Sequence, residues 1–429
     1  MATKATTIRP GSFNTPQMRA FHMSWFAFFL CFFGWFAFPA LSKVVIEDLG
    51  ISRSQFVTSS QWAVGSTILM RLLIGWLCDH FGPRLTYSWL LILGSVPVAM
   101  GALVQTYEQL IWARIFIGAI GASFVITQYH TSRMFAPNVV GTANATTAGW
   151  GNLGGGVTQK AMPLILLGFA FFGDDAWRYA MVVPAVAMII TGFAYFFLTQ
   201  DTPAGNFPAG QEEARPKGIF LEACRDYRVW LLFIIYGACF GIELIVNSKL
   251  MLYFTGDFNM DLQTAGLIAA MFGLMNLFAR TLGGIFGDRF GRRGGLRGRV
   301  QWLFVVLLLE GAALMLFSRI THIGALVPAL ILFSLFVQMA EGATFSVVPF
   351  INKRALGPVA GIVGAGGNAG AVLGMFLFKI EGLAWSDAFL MLGGLVSVIS
   401  VLALGVRFSA STEKEVVNEM KELGVASPA

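Results

Sequence analysis

Apolar residues fall in windows of about twenty, the length a helix needs to cross a hydrocarbon core about 30 Å thick. Twelve such windows follow one another: 21–42, 57–78, 86–106, 109–134, 140–170 and 178–199, then 229–255, 262–287, 299–319, 322–350, 356–379 and 385–408. One long polar interruption, from Asp201 to Arg228, separates two sets of six; it carries Pro203, Gly205, Glu212, Glu213, Arg215, Pro216 and Lys217. The pattern predicts an all-α membrane protein of twelve transmembrane helices in two six-helix bundles. Residues 1–20 form an N-terminal segment, 21–200 the first bundle, 201–228 a linker, 229–408 the second bundle and 409–429 a tail. The tail has mixed charge (Lys414, Glu415, Lys421, Glu422) and reads as a solvated helix or a disordered end.

Composition agrees: 56% of residues are hydrophobic and 12% charged, whereas a soluble domain carries about 25% charged residues. The basic start (Lys4, Arg9, Arg19) lacks the short apolar core and small-residue site of a cleaved leader, so the first helix is expected to be retained. Cys31, Cys78, Cys224 and Cys239 have no metal-binding or disulfide spacing and read as small apolar residues; no metal and no cofactor is expected. The net charge of +6 comes from loops. Arg84, Arg133, Arg215, Lys217, Arg225, Arg228, the cluster from Arg289 to Arg299, Lys353 and Arg354 all fall on one side of the twelve-span arrangement. By the positive-inside rule that side is cytoplasmic, with both termini, which places the chain in the cytoplasmic membrane. No nucleic-acid motif is present, so the surrounding partner is the lipid bilayer, and a monomer is expected.

One stretch occurs twice: Arg71-Leu-Leu-Ile-Gly-Trp-Leu-Cys-Asp-His-Phe-Gly-Pro-Arg84 and Arg280-Thr-Leu-Gly-Gly-Ile-Phe-Gly-Asp-Arg-Phe-Gly-Arg-Arg293. If the helices stop near Asp79 and Asp288, each arginine lies about 12 Å deep at 1.5 Å per residue, close to the bilayer centre. A charge there costs on the order of 3 kcal/mol and needs a reason. Either the two arginines hold an anion between them, or each pairs with a carboxylate or with helix carbonyls. A second repeat joins Gly141-Thr-Ala-Asn-Ala-Thr-Thr-Ala-Gly-Trp-Gly-Asn-Leu-Gly-Gly-Gly156 to Gly357-Pro-Val-Ala-Gly-Ile-Val-Gly-Ala-Gly-Gly-Asn-Ala-Gly370; Gly151 matches Gly367 and Asn152 matches Asn368. Glycine weakens a helix by about 1 kcal/mol relative to alanine, so such density serves either close helix packing or close approach of a ligand. Packing does not require the same amide in both halves.

Together, the segment Ala148-Gly-Trp-Gly-Asn-Leu-Gly-Gly-Gly-Val-Thr-Gln159, its echo around Asn368, and one arginine in each of the second and eighth spans resemble the nitrate/nitrite porter family of the major facilitator superfamily. Phe124-Val-Ile-Thr-Gln-Tyr129 and Ala340-Glu-Gly-Ala-Thr-Phe345 are more similar to its assimilatory members than to its respiratory exchangers. The resemblance implies that Arg71 and Arg280 hold nitrate or nitrite, with Asn152, Asn368, Gly151 and Gly367 near it and Phe124 and Tyr236 as aromatic walls. It also implies alternating access of two pseudo-symmetric halves. A guanidinium offers a planar fork that suits a flat oxyanion. Two arginines would leave the empty site strongly positive, which disfavours empty reorientation and suggests that an anion, or an anion with a proton, must be aboard.

Glu243, Glu310 and Glu341 are carboxyls in apolar surroundings. Glu243 and Glu341 are the candidate proton carriers, or else structural partners of Lys249 or of an arginine; Glu310 reads as structural. Proton-coupled nitrate import is therefore the leading expectation and nitrate/nitrite exchange the alternative. A sensor on the same fold would normally carry an appended signalling domain. An enzyme is not expected, since no metal cluster, nucleophile with its base, or phosphate loop is visible. Arg114 suits a paired structural role, and Gln128, His130 and Gln159 either line the path or tie helices together.

Overall fold

A computed structural model describes residues 3–207, 218–260 and 262–425. Glu212, Glu213, Arg215, Pro216 and Lys217 of the expected linker lie outside them. The helices, in chain order, are α1 (Pro16–Ala40), α2 (Ser42–Leu49), α3 (Arg53–Met100), α4 (Tyr107–Ile117), α5 (Ser123–Met134), α6 (Val140–Gly168), α7 (Ala176–Leu198), α8 (Ile219–Arg225), α9 (Tyr227–Asp257), α10 (Leu262–Leu274), α11 (Ala279–Arg319), α12 (Ile323–Val347), α13 (Leu356–Gly374), α14 (Trp385–Ala403) and α15 (Ala410–Glu422).

Nine helical stretches of the described residues are long and apolar enough to cross a bilayer. Two of them bend at glycine and so make two crossings each. α3 breaks at Gly82, whose φ of 81° a side chain disfavours, with Pro83 starting the second arm; α11 breaks at Gly295 (φ 63°). The expected spans 57–78 and 86–106 are thus two helices that meet at Gly82, and 262–287 and 299–319 are likewise separated at Gly294 and Gly295, where the backbone leaves the helical region. α6, rich in glycine, threonine and asparagine, is the remaining crossing, and it is the least hydropathic of the set for that reason.

The glycine repeats are contact surfaces. α13 lies on the first arm of α3: a methyl group on Gly75 would run into the carbonyl of Gly357, and one on Gly361 would sit 2.6 Å from the carbonyl oxygen of Arg71. α6 lies on the first arm of α11 in the same way, with Gly284 against the carbonyl of Gly141. Across the other face of α13, a methyl on Gly241 of α9 would come 2.9 Å from the oxygen of Gly367. Packing therefore accounts for most of these glycines.

The basic end is closed by the motif that ends the first arm of α11. Asp288 accepts from the amides of Gly141 (3.0 Å) and Thr142 (2.6 Å), at the start of α6, and from the Thr142 hydroxyl (2.6 Å). Arg299, counted above among loop cations, is buried instead: it donates to Asp288 at 2.7 Å, to the carbonyl of Ser346 at 3.1 Å and to the carbonyl of Pro137. The copy in the first half differs: Asp79 faces the Tyr129 side chain and the backbone of Gly357, at the start of α13, with no arginine bonded to it as Arg299 is to Asp288 among the described residues.

Candidate functional site

Arg71 of α3 and Arg280 of α11 are 0% and 1% exposed. They converge on the same two rings: the Arg71 guanidinium lies 5.2 Å from the Phe124 centroid and 5.4 Å from that of Phe240, and Arg280 lies 5.5 Å and 6.0 Å from them. Such contacts stabilise a desolvated cation by about 2 kcal/mol. Phe124, Tyr236 and Phe240 stack nearly parallel, with centroids 5.3–6.4 Å apart, and Phe345 meets Phe124 edge-on at 4.8 Å. A slot walled by flat faces results, with a cation entering from each half.

The two cations are partnered differently. Arg280 ion-pairs with Glu341 of α12 and donates to the Tyr236 hydroxyl at 2.7 Å. Among the described residues Arg71 meets no carboxylate; one nitrogen donates to the carbonyl of Gly364, while Nε and the other terminal nitrogen have no hydrogen-bond partner there. Asn368, one helical turn after Gly364, is fully buried with both amide atoms unpartnered. The Asn368 amide carries both donors and an acceptor, and it follows the carbonyl that Arg71 meets by one turn of α13. In the other half, Gly149 backs onto Arg280, and Asn152, three residues further along α6, has a buried unpartnered oxygen. A methyl group on Gly151 would run into the Phe28 ring, and one on Gly367 would run into Phe240 and come 3.1 Å from Tyr236, so both glycines seat aromatic rings.

The carboxyls form a layer behind Arg280. Glu243 accepts from the Asn276 side chain at 2.6 Å and approaches Glu341. Lys249 lies over the Phe378 and Trp385 rings. Glu310 is fully buried with neither oxygen hydrogen-bonded. The other polar candidates tie helices together: Arg114 to the Trp35 carbonyl and Ser60, Gln128 to the Asn144 carbonyl, and His130 to Tyr195 (2.6 Å) and the Gln200 carbonyl (2.8 Å).

Three members of the site were not singled out from the sequence. Phe240 stands four residues from Tyr236 on α9, a spacing that puts it on its neighbour's helix face and marks it in retrospect; Asn276 lies in the turn of Met275–Leu277 just before α11, which the sequence did not signal. The Gly364 carbonyl has no such signal, since only the approach of α3 to α13 brings it to Arg71.

The Major Facilitator Superfamily sequence profile matches residues 24–351. High affinity nitrate transporter 2.5 of Arabidopsis thaliana is 38% identical over 97% of this chain and 86% of its own length. The Nitrate/nitrite transporter NrtP of Picosynechococcus is 32% identical over 84% of each. Among solved structures, the proton:xylose symporter XylE superposes with a TM-score of 0.69 at 12% identity, covering 90% of this chain and 94% of that one. The human organic anion transporter MFSD10 gives 0.67 at 15%, covering 91% and 100%. Sequence over nearly the whole length and fold agree: the chain belongs to the nitrate/nitrite porter family of the major facilitator superfamily.

Proposed function

We infer that the protein carries nitrate, with nitrite as a second substrate, across the cytoplasmic membrane by alternating access, its basic end and both termini in the cytoplasm. It is a carrier rather than an enzyme. The anion is held between Arg71 and Arg280, against Phe124, Tyr236 and Phe240, with Asn368 and Asn152 supplying amide donors. The aromatic faces suit a flat, weakly hydrated ion, and two forks from opposite halves let one anion draw the halves together.

The observation that carries the coupling is the Arg280–Glu341 ion pair. With Glu341 ionised, Arg280 is neutralised and only the Arg71 charge remains, so the empty site is not doubly positive and the empty carrier is free to return. A proton on Glu341 releases the Arg280 fork, and nitrate takes the place of the carboxylate; proton and anion then load together with no change in the site's total charge. Glu243, beside Glu341, is the group through which that proton would pass. This reading favours symport over exchange, because an exchanger needs no empty return.

The test is uptake into proteoliposomes under an inward proton gradient, compared with vesicles preloaded with nitrite and given no gradient. Symport requires gradient-dependent nitrate uptake with acidification of the lumen. Uptake that needs only internal nitrite would make the protein an exchanger and leave Glu243 and Glu341 structural.

A further inference from the structure

At the basic end, between the halves, lies a cavity of about 100 Å³, enough for several waters or a small ion. Ser132, Arg133 and Phe135 wall it from the first half, Phe350, Lys353 and Leu356 from the second, and Lys4 and Glu419 close it. Its charged lining is three cations to one carboxylate, and that carboxylate comes from α15. Glu419 bonds Lys4 at 2.7 Å and Lys353 at 2.8 Å, and Lys353 also reaches Glu415 at 3.0 Å. Burial acts to raise the Glu419 carboxyl and lower Lys353, but mutual attraction outweighs it, so Glu419 titrates below its ordinary range and Lys353 above.

The helix that carries Glu419 is lightly held. Val416 and Met420 pack among Met18, Phe21, Phe135, Leu296 and Phe350, which come from both halves, and the Glu413 carboxylate accepts from the Leu296 amide (3.1 Å) beside the α11 break. Thirteen residues are marginal as a helix on their own, two apolar anchors are few, and ion pairs still a fifth to a third open to solvent contribute modestly. The attachment is fit to come and go.

We propose that this chamber is a second station for the transported monoanion, and that α15 is a removable stopper whose Glu419 occupies the lysines until it lifts. Lys353 and Lys4, released with Arg133 at the mouth, then receive the anion on its way between the arginine site and the cytoplasm. The identity of the anion rests on the function inferred above; the stopper does not.

The experiment measures labelling of Ser132→Cys by a membrane-impermeant maleimide from the basic end, in full-length protein in liposomes with Cys224→Ala removing a partly exposed thiol at that end. Glu419→Gln is expected to speed labelling about threefold or more, the opening expected from losing exposed ion pairs. Nitrate, against chloride at equal ionic strength, is expected to slow the labelling again, and Lys353→Gln to abolish that protection while labelling stays fast. Labelling unchanged by Glu419→Gln overturns the stopper. Fast labelling with no nitrate protection, in protein that still takes up nitrate, overturns the anion station. Protein with no nitrate uptake at all overturns the nitrate reading instead, and the effect of Glu419→Gln on labelling still tests the stopper.

Discussion

Arg71 and Arg280 share two aromatic rings but differ in their charge partners, and the difference sets what each substitution should do. Lysine keeps the charge and loses the fork, and a hydrogen bond to a charged group contributes about 1.5–3 kcal/mol. Arg71→Lys and Arg280→Lys should therefore weaken nitrate binding about 10- to 100-fold at normal membrane levels, read by uptake against immunoblot. Glu341→Gln acts in the opposite sense on binding: it frees Arg280 permanently, so nitrate should bind more tightly while uptake loses its response to a proton gradient and nitrite-driven exchange persists. Gradient-driven uptake of wild-type size in Glu341→Gln would remove that residue as the proton carrier. Both arginines and both carboxyls were legible in the sequence as ionisable residues at bilayer depth. Which partner each arginine takes was not, because it depends on α12 placing Glu341 beside Arg280 and on α13 bringing the Gly364 carbonyl to Arg71.

At the scale of helices, the glycine repeats set how closely α3 lies on α13 and α11 on α6. A methyl group on Gly284 meets the backbone of Gly141, which cannot move aside as a side chain can, so Gly284→Ala should cost about 1–3 kcal/mol, as overpacking does. A thermal-unfolding shift measured beside Gly156→Ala, which has open space around it, isolates the contact. Asp288→Asn should loosen the same seam, since the carboxylate satisfies two amides, a hydroxyl and Arg299. The helices themselves were readable from apolar windows, and the doubled Gly-Asn pattern marked the right two. The gaps expected between separate spans fall at Gly82 and Gly295, where the backbone leaves the helical region; that each gap is a single tight bend and not a longer loop was not readable from a window of hydropathy. The burial of Arg299 was invisible for a related reason: a charge in a basic cluster is read as solvated until a carboxylate is placed over it.

For the whole molecule, the two halves meet at three levels: the aromatic slot at mid-depth, the Asp288–Arg299 seam, and the basic end closed by α15. The tail was expected to be a solvated helix or a disordered end; it forms the helix α15, and what its mixed charge did not signal is that Val416 and Met420 pack between the halves. The docking should follow pH. Glu419 titrates lower when docked, so it stabilises the docked tail above the ordinary carboxylate range and loses that contribution as pH falls through its lowered value. Lys353 titrates higher when docked, so its contribution is full below the ordinary lysine range and disappears as pH rises through its raised value. The protection of α15 amides, their exchange rate divided into the base-catalysed rate of the free peptide at the same pH, should thus be highest between about pH 5 and pH 10 and fall on either side; protection that does not change with pH would show that the charges do not hold the helix.

The most direct measurement of the central claim is nitrate binding to the purified protein by calorimetry, in the wild type and in Arg71→Lys and Arg280→Lys. The two-arginine site predicts saturable binding in the wild type and about 10- to 100-fold weaker binding in each variant, with unfolding temperatures unchanged. Wild-type affinity in both lysine variants would contradict it.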